Sequence, residues 1–137
     1  MRVLMSTRQH TIAIVEDDPS LRKALGRLLR GSGYRVQLFA SGEAALKGLP
    51  GSQVCCVLID CQLGSISGVE LARQLCLAGI QLPIIFMTGS DNDDMRREAM
   101  GLGCVAYLNK PFVESQLLDA IASAIRLSLV HGGVQSL

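Results

Sequence analysis

The chain has 137 residues, of which 49% are hydrophobic, and its 13 basic and 12 acidic side chains leave a formal net charge of +1. This length predicts one domain, and the balanced charge argues against a nucleic-acid surface, which needs a clustered basic excess. Five aromatic residues, none of them Trp, also argue against stacking platforms for single strands. The five cysteines show no zinc-ligand spacing and no CxxC pair, so we expect reduced, mostly buried thiols in a cytoplasmic protein. No apolar run predicts a membrane span or a signal peptide.

Short apolar runs alternate with amphipathic helical segments along the chain. The pattern predicts strands over residues 11–15, 34–40, 54–59, 83–88 and 104–108. It predicts helices over residues 19–30, 42–49, 68–76, 91–102 and 112–129. Asp18-Pro19 is a helix start, and we expect the last helix to direct Val113, Leu117 and Ile121 inward. Residues 1–10 are interpreted as a flexible leader, 11–129 as the folded domain and 130–137 as a C-terminal tail.

Five strand–helix units in strict alternation, with apolar strands, predict a parallel sheet covered by helices on both faces. A closed eight-fold barrel needs about 250 residues, so an open sheet fits this length better. We therefore expect a flavodoxin-like, doubly wound α/β fold with strand order 2-1-3-4-5, whose switch point lies between the first and third strands. Ligands of such sheets bind at the carboxyl ends of the strands.

Polar side chains stand at the carboxyl ends of four predicted strands. They are Glu16 and Asp17 after the first, Asp60 after the third, Thr88 after the fourth and Lys110 after the fifth. Because burial of an unpaired carboxylate is costly, we expect Asp60 to lie half out of the sheet. The first and third strands flank the switch point, so the three carboxylates should share one crevice. Clustered oxygen ligands of this kind suit Mg²⁺.

A hydroxyl and an ammonium beside a metal-bound carboxylate position an incoming phosphoryl group and neutralise its charge. Thr88 and Lys110 would supply these groups, which makes Asp60 a candidate nucleophile that forms an aspartyl phosphate. Taken singly, the residues have ordinary roles: an acid can cap a helix, Thr88 can end a strand in a turn, and Lys110 can be solvated. Their combination on successive strand ends favours a functional site.

These residues resemble the receiver domain of two-component response regulators over about residues 10–127. The matching motifs are, in order, Ile14-Val15-Glu16-Asp17-Asp18, Leu58-Ile59-Asp60, Ser67-Gly68-Val69-Glu70-Leu71, Thr88-Gly89 and Lys110-Pro111-Phe112. Within the CheY-like superfamily, the Ser-Gly-Val-Glu-Leu run, Glu98-Ala99-Met100 and Gly103 are similar to the FixJ-type branch.

The resemblance implies that Asp60 accepts a phosphoryl group from a sensor histidine kinase or a phosphotransfer protein. It implies that Mg²⁺, or Mn²⁺ in its place, is bound by Asp17, Asp60 and the backbone carbonyl of Gln62, with Glu16 acting mostly through water. A receiver of this kind catalyses only its own phosphorylation and dephosphorylation.

The resemblance also assigns a switch. Thr88 and Lys110 would contact the phosphoryl oxygens, and the ring of Tyr107 would follow Thr88. The Lys110-Pro111 peptide bond would be cis, which is otherwise rare. The fourth helix, fifth strand and fifth helix, about residues 91–129, would form the face for homodimers or partners. From the residues alone, Tyr107 is equally interpretable as a core aromatic.

Two departures from the family pattern lie beside Asp60. Leu63-Gly64 stands where the family usually has Met-Pro, and Gly64 would loosen the loop that presents the Gln62 carbonyl. Metal affinity and phosphoryl lifetime should depend on this loop. Cys61 is interpreted either as an oxidisable thiol, if exposed, or as an inert packed one.

FixJ-type proteins usually carry a C-terminal helix-turn-helix domain, for which a chain ending at Leu137 has no room. We expect either a stand-alone regulator that acts through protein contacts or the receiver of a longer transcriptional regulator, with no direct nucleic-acid or membrane binding by this chain. One rival is a Mg²⁺-dependent phosphohydrolase, which wants a second acid where Gln62 stands. Another is a degenerate receiver used only for docking, which the complete set of site residues argues against.

Overall fold

A computed structural model of the protein describes residues 10–90 and 92–135, with side chains described up to position 128. The described residues form five strands: β1 (Thr11–Val15), β2 (Arg35–Phe39), β3 (Cys56–Asp60), β4 (Ile84–Thr88) and β5 (Ala106–Asn109). The helices are α1 (Pro19–Gly31), α2 (Gly42–Gly48), α3 (Gly68–Leu77), α4 (Asp93–Gly101) and α5 (Glu114–Gln135). The strands form one parallel sheet in the order β2-β1-β3-β4-β5, which confirms the flavodoxin-like prediction.

The sheet is most deeply buried at its centre. Every residue of β3 and β4 is buried, as their unbroken apolar runs predict for strands covered on both faces. β2 lies at one edge and is largely exposed, in keeping with its alternating polar residues Arg35 and Gln37. The central strands are therefore held firmly on both faces, and so are the side chains at their carboxyl ends.

Period-two alternation along the strands divides the interior into two cores. On one face, which we call the α2/α3/α4 face, Val57 and Ile59 of β3 pack against those three helices. On the other, the α1/α5 face, Cys56 and Leu58 pack against α1 and α5. Within the described residues, no helix has both the length and the hydropathy of a membrane-spanning segment.

The helices begin where the sequence offers a capping side chain. Asp18 caps α1 by accepting a hydrogen bond from the backbone N–H of Ser20, as predicted. Ser41, Ser67 and Asn92 cap α2, α3 and α4 in the same way. The predicted start of α4 at Asp91 falls outside the described residues.

The last helix differs from its prediction at both ends. Val113 is 61% exposed rather than inward, because it precedes Glu114, the first residue of α5. The helix continues to Gln135, so the predicted tail at 130–137 begins inside it. The helix runs through Gly132 and Gly133, although adjacent glycines are unfavourable in a helix interior and predict a stop. Of the predicted leader, residues 1–9 lie outside the described residues.

Candidate functional site: an acidic crevice at the carboxyl end of the sheet

Three acidic side chains meet where β1 and β3 end. One carboxylate oxygen from each of Glu16, Asp17 and Asp60 lies within 4.8 Å of the other two. Val15 is in register with Ile59, so the residues that follow these two positions emerge side by side. Glu16 and Asp60 are buried, whereas Asp17 faces solvent. The acids that the sequence places at two strand ends therefore share one crevice.

Asp60 is the last residue of β3 and is only 4% exposed, so the expectation that it lies half out of the sheet was wrong. Its burial is compensated by hydrogen bonds. Lys110 Nζ donates to Oδ2 over 3.0 Å, and the backbone N–H of Gln62 donates to Oδ1 over 3.0 Å. Burying a carboxylate is costly chiefly when the charge has no partner, and here each oxygen has one.

Lys110 joins two of the three acids. Its Nζ also donates to Oε1 of Glu16 over 3.2 Å. Burial lowers the pKa of the ammonium, but the hydrogen bonds and charges of Asp60 and Glu16 outweigh it, so the pKa of Lys110 is raised. The backbone N–H of Lys110 donates to the carbonyl of Thr88 over 2.7 Å, and the Lys110-Pro111 bond is cis. The ammonium is thus a fixed positive charge between two carboxylates.

Glu16 is the most strongly perturbed acid of the crevice. Burial raises the pKa of its carboxyl to about 7, and nearby Asp60 adds to this. The backbone N–H of Asp18, 3.1 Å from Oε2, and the charge of Lys110 act in the opposite direction. Arg22 Nη1 donates to the Glu16 backbone carbonyl over 2.8 Å. This contact could not be predicted from the sequence, in which Arg22 occupies an ordinary polar position of an amphipathic helix.

Thr88 and Tyr107 lie in the neighbouring strands β4 and β5. Thr88 ends β4 and is 1% exposed; its hydroxyl accepts from the backbone N–H of Ser90 over 3.0 Å and lies 4.0 Å from Sδ of Met95. Tyr107 in β5 packs into the core of the α2/α3/α4 face. The guanidinium carbon of Arg96 lies 4.8 Å from the centre of its ring, a cation–π geometry. This contact joins neighbouring elements, so no local sequence spacing could have revealed it.

The loop of residues 61–67 leads away from Asp60 to α3. Cys61 is 1% exposed, which favours the packed thiol over the oxidisable one. A Cβ at Gly68 would overlap the backbone carbonyl of Asp60 and lie 2.8 Å from Cγ2 of Ile59. The N–H of Gly68 donates to the carbonyl of Cys61 over 2.8 Å. In the sequence, Gly68 is recognisable only as part of the Ser67–Leu71 motif. The structure shows that α3 begins directly against the backbone of Asp60.

The crevice has the donor chemistry of a hard divalent cation. All three candidate ligand side chains are carboxylates, and exposed Asp17 leaves one side open to water. Mg²⁺ favours one or two carboxylates and keeps several waters, and Mn²⁺ accepts similar oxygen ligands. The residues present therefore fit either ion.

The comparisons with known proteins concern the same part of the chain. Residues 12–122 match the family described as "Response regulator receiver domain". The transcriptional regulatory protein FixJ of Bradyrhizobium diazoefficiens is 38% identical over 122 residues, which are 89% of this chain and 59% of that protein. The response regulator protein TodT of Pseudomonas putida is 36% identical over 124 residues, 90% of this chain and 55% of that protein. The chain thus spans less than two thirds of the length of these relatives.

Solved structures of FixJ are also similar to this chain. The crystal structure of FixJ-N superimposes with a TM-score of 0.80 at 34% identity and covers 85% of this chain and 94% of that chain. Full-length FixJ from B. japonicum gives a TM-score of 0.81 at 36% identity, over 88% of this chain and 59% of that one. The segment matched by the family includes every residue of the acidic crevice.

Proposed function

The chain belongs to the response regulator receiver domain family, FixJ type, and we propose that it accepts a phosphoryl group on Asp60 in a Mg²⁺-dependent reaction. The donor is a phosphohistidine on a sensor histidine kinase or a phosphotransfer protein. The observation that carries this proposal is the Lys110 ammonium, which bridges Asp60 and Glu16 beside Asp17. Members of this family are signalling receivers rather than conventional enzymes.

In the proposed reaction, a carboxylate oxygen of Asp60 attacks the phosphorus, the N–P bond breaks, and its electron pair returns to the imidazole of the donor. Asp17, Asp60 and the Gln62 carbonyl would hold the cation, with Glu16 mostly acting through water. When bound, Mg²⁺ would neutralise charge on the phosphoryl oxygens. Lys110 already contacts Oδ2 of Asp60 and can turn to an oxygen of the new phosphoryl group.

We propose that Thr88 changes its hydrogen bonding when Asp60 is phosphorylated. The contact that its hydroxyl donates is to the sulfur of Met95 at 4.0 Å, and a thioether is a weak acceptor. Exchanging that contact for a phosphoryl oxygen costs little. Movement of Thr88 would let the ring of Tyr107 follow, changing the face formed by α4, β5 and α5, where a second copy or another protein would dock.

A direct test is incubation with acetyl phosphate and Mg²⁺, followed by intact mass measurement. We expect one phosphate adduct in the wild type and none in Asp60→Asn. Asp119→Asn, a change at an exposed position of α5, is the matched control and should keep the adduct. A folded wild type that never gains the adduct would overturn the proposal.

We further propose that the receiver regulates transcription through an output domain outside this chain, because relatives of greater length are named as transcriptional regulators. The alternative is a stand-alone regulator that acts by protein contact. In either case, this chain itself is not proposed to bind DNA. We also propose a cytoplasmic location, since its five cysteines all lie within the described residues and are free.

Light scattering tests the output face. With Mg²⁺ and beryllofluoride, a mimic of the phosphoryl group, we expect the mass of the particle to double if the α4-β5-α5 face dimerises. A mass that stays that of one chain would remove the homodimer and leave contacts with other proteins.

A further inference from the structure

In the proposed function, the loop of residues 61–67 would present the Gln62 carbonyl to the cation, yet it contains Gly64, the residue that restrains a backbone least. A Cβ at Gly64 would lie 4.0 Å from Oδ2 of Asp17, so the loop runs close beside the acids of the crevice. A loop that must hold a ligand atom in place, but has no rigid residue at this point, needs restraint from a neighbouring element.

The first turn of α2 contacts the loop at two points. The hydroxyl of Ser65 donates a hydrogen bond to the carboxylate of Glu43. This bond also lowers the pKa of Glu43, as expected for a carboxylate that accepts a hydrogen bond. Both residues lie at the surface, 22 positions apart in the chain. The bond therefore ties two separate segments together rather than closing a local turn.

The second contact is steric. Gly42 is buried beneath Ile66, and a Cβ at Gly42 would lie 2.7 Å from both Cγ1 and Cδ1 of Ile66. The same Cβ would be 3.8 Å from Cδ1 of Leu63, which is itself buried. Because Gly42 has no side chain, the apolar residues on either side of Gly64 can settle onto the helix.

We propose that Gly42 and Glu43 are positioning residues for the phosphoryl-transfer site: they fasten the 61–67 loop to α2 and so hold the Gln62 carbonyl toward the cation. Their contacts supply the restraint that a proline at position 64 would otherwise give. This inference rests on the proposed function, since it concerns the same metal site. Neither residue would touch the metal or the phosphoryl group.

The main test is Gly42→Ala, with Mg²⁺ affinity measured by calorimetry and stability by urea unfolding. The added methyl displaces Ile66 and with it the loop, so we expect Mg²⁺ affinity to fall about tenfold, as for other residues that support metal ligands. Gly48→Ala is the matched control at the other end of α2, where the new Cβ would meet Phe39 instead of the loop. It should lower stability and leave Mg²⁺ affinity unchanged.

A double substitution separates positioning from general damage. In an Ile66→Ala background the displaced atoms are gone, so Gly42→Ala should cost no further Mg²⁺ affinity there. An equal loss in both backgrounds would contradict the steric contact. If Gly42→Ala does not fold, the Ser65→Ala variant tests the positioning role instead, and it should weaken Mg²⁺ binding and shorten the phosphoryl lifetime. Ser65→Thr, which keeps the hydroxyl, should restore both properties.

The outcome also separates this inference from the proposed function. A wild type that binds Mg²⁺ and becomes phosphorylated, together with Gly42→Ala and Ser65→Ala variants of unchanged affinity, would overturn the positioning role alone. A folded wild type that binds no Mg²⁺ would overturn both.

Discussion

The two faces of the sheet carry different halves of the site. Leu58 packs toward α1 and α5, so Asp60, two residues further along β3, belongs to the same face, where Lys110 joins it to Glu16. Phe86 packs toward α2, α3 and α4, and Thr88, two residues further along β4, belongs to that face. The proposed nucleophile and its counter-charge thus lie on one side of the sheet, and the proposed switch lies on the other.

The two halves also differ in how firmly they are held. On the α1/α5 face, ionic hydrogen bonds of 3.0 and 3.2 Å fix the carboxylates, and such charge-assisted bonds are strong. On the α2/α3/α4 face, Thr88 donates only to a sulfur, and Arg96 lies over the ring of Tyr107. The difference supports the proposal of a rigid half for chemistry and a half that changes conformation at low cost.

The largest expected effect comes from removing the ammonium of the rigid half. Lys110→Met leaves Asp60 and Glu16 buried without their cation, and we expect a loss of about 3–4 kcal/mol in the free energy of unfolding at pH 8. The loss should shrink at pH 5, where Glu16 takes up a proton. Urea unfolding at the two pH values measures it.

Lys47→Met is the control for that substitution, since Lys47 is exposed at the end of α2. It should change stability by less than about 0.5 kcal/mol. If the two variants lost equal stability, the interlocked charges of the α1/α5 face would not be the source of its rigidity.

The next effect is a pH dependence that belongs to Glu16. The pKa of Glu16 is about 7 in the folded protein, above its ordinary value of 4.5. As pH rises from 4.5 to 7, the Glu16 carboxyl therefore loses its proton in the unfolded chain before it does so in the folded protein. Stability without divalent ions should therefore fall as pH rises from 4.5 to 7, by at most about 3 kcal/mol. Urea unfolding of the wild type and Glu16→Gln in a chelator should show a flatter profile in the variant.

Glu114→Gln, at an exposed position, serves as the control for the titration and should keep the wild-type slope. A Glu16→Gln profile as steep as that of the wild type would mean that another group titrates in this range.

The smallest effect concerns the α2/α3/α4 face. Arg96→Ala removes the cation above Tyr107 and should cost about 0.5–1 kcal/mol of stability, with no change in the rate of adduct formation. Because the chain has no Trp, tyrosine fluorescence in a Tyr34→Phe background reports on Tyr107 alone. We expect easier quenching by iodide in Arg96→Ala than in Arg97→Ala, which removes an exposed pair with Asp94. Equal quenching would show that Arg96 does not restrain the ring.

Patterns in the sequence predicted the features of the fold and the site that depend on local composition. The strand order and the positions of Glu16, Asp60 and Lys110 at strand ends followed from alternation and the rules of parallel sheets. The burial of Asp60 was missed, because it depends on an ammonium 50 positions away whose geometry no local pattern contains. The contact of Arg96 with Tyr107 was missed for the same reason.

Two glycine positions have roles in the structure that their local sequence does not predict. The Gly132-Gly133 pair suggested a helix stop, yet α5 continues through it. From the sequence, Gly42 is only the first residue of the predicted helix over 42–49, and the importance of its missing side chain appears only when Ile66 is found above it.

The in-register pairing of β3 and β4 has a consequence for how such a protein can be broken or redesigned. Asp60 is in register with Met87, and the side chains of β4 alternate between the two cores, so Thr88 faces its layer only because of its parity along the strand. A single residue inserted early in β4 would exchange the two layers for every later position of that strand. All the proposed functional residues would still be present in such a sequence, but a methionine would take the place of the Thr88 hydroxyl beside the proposed phosphorylation site.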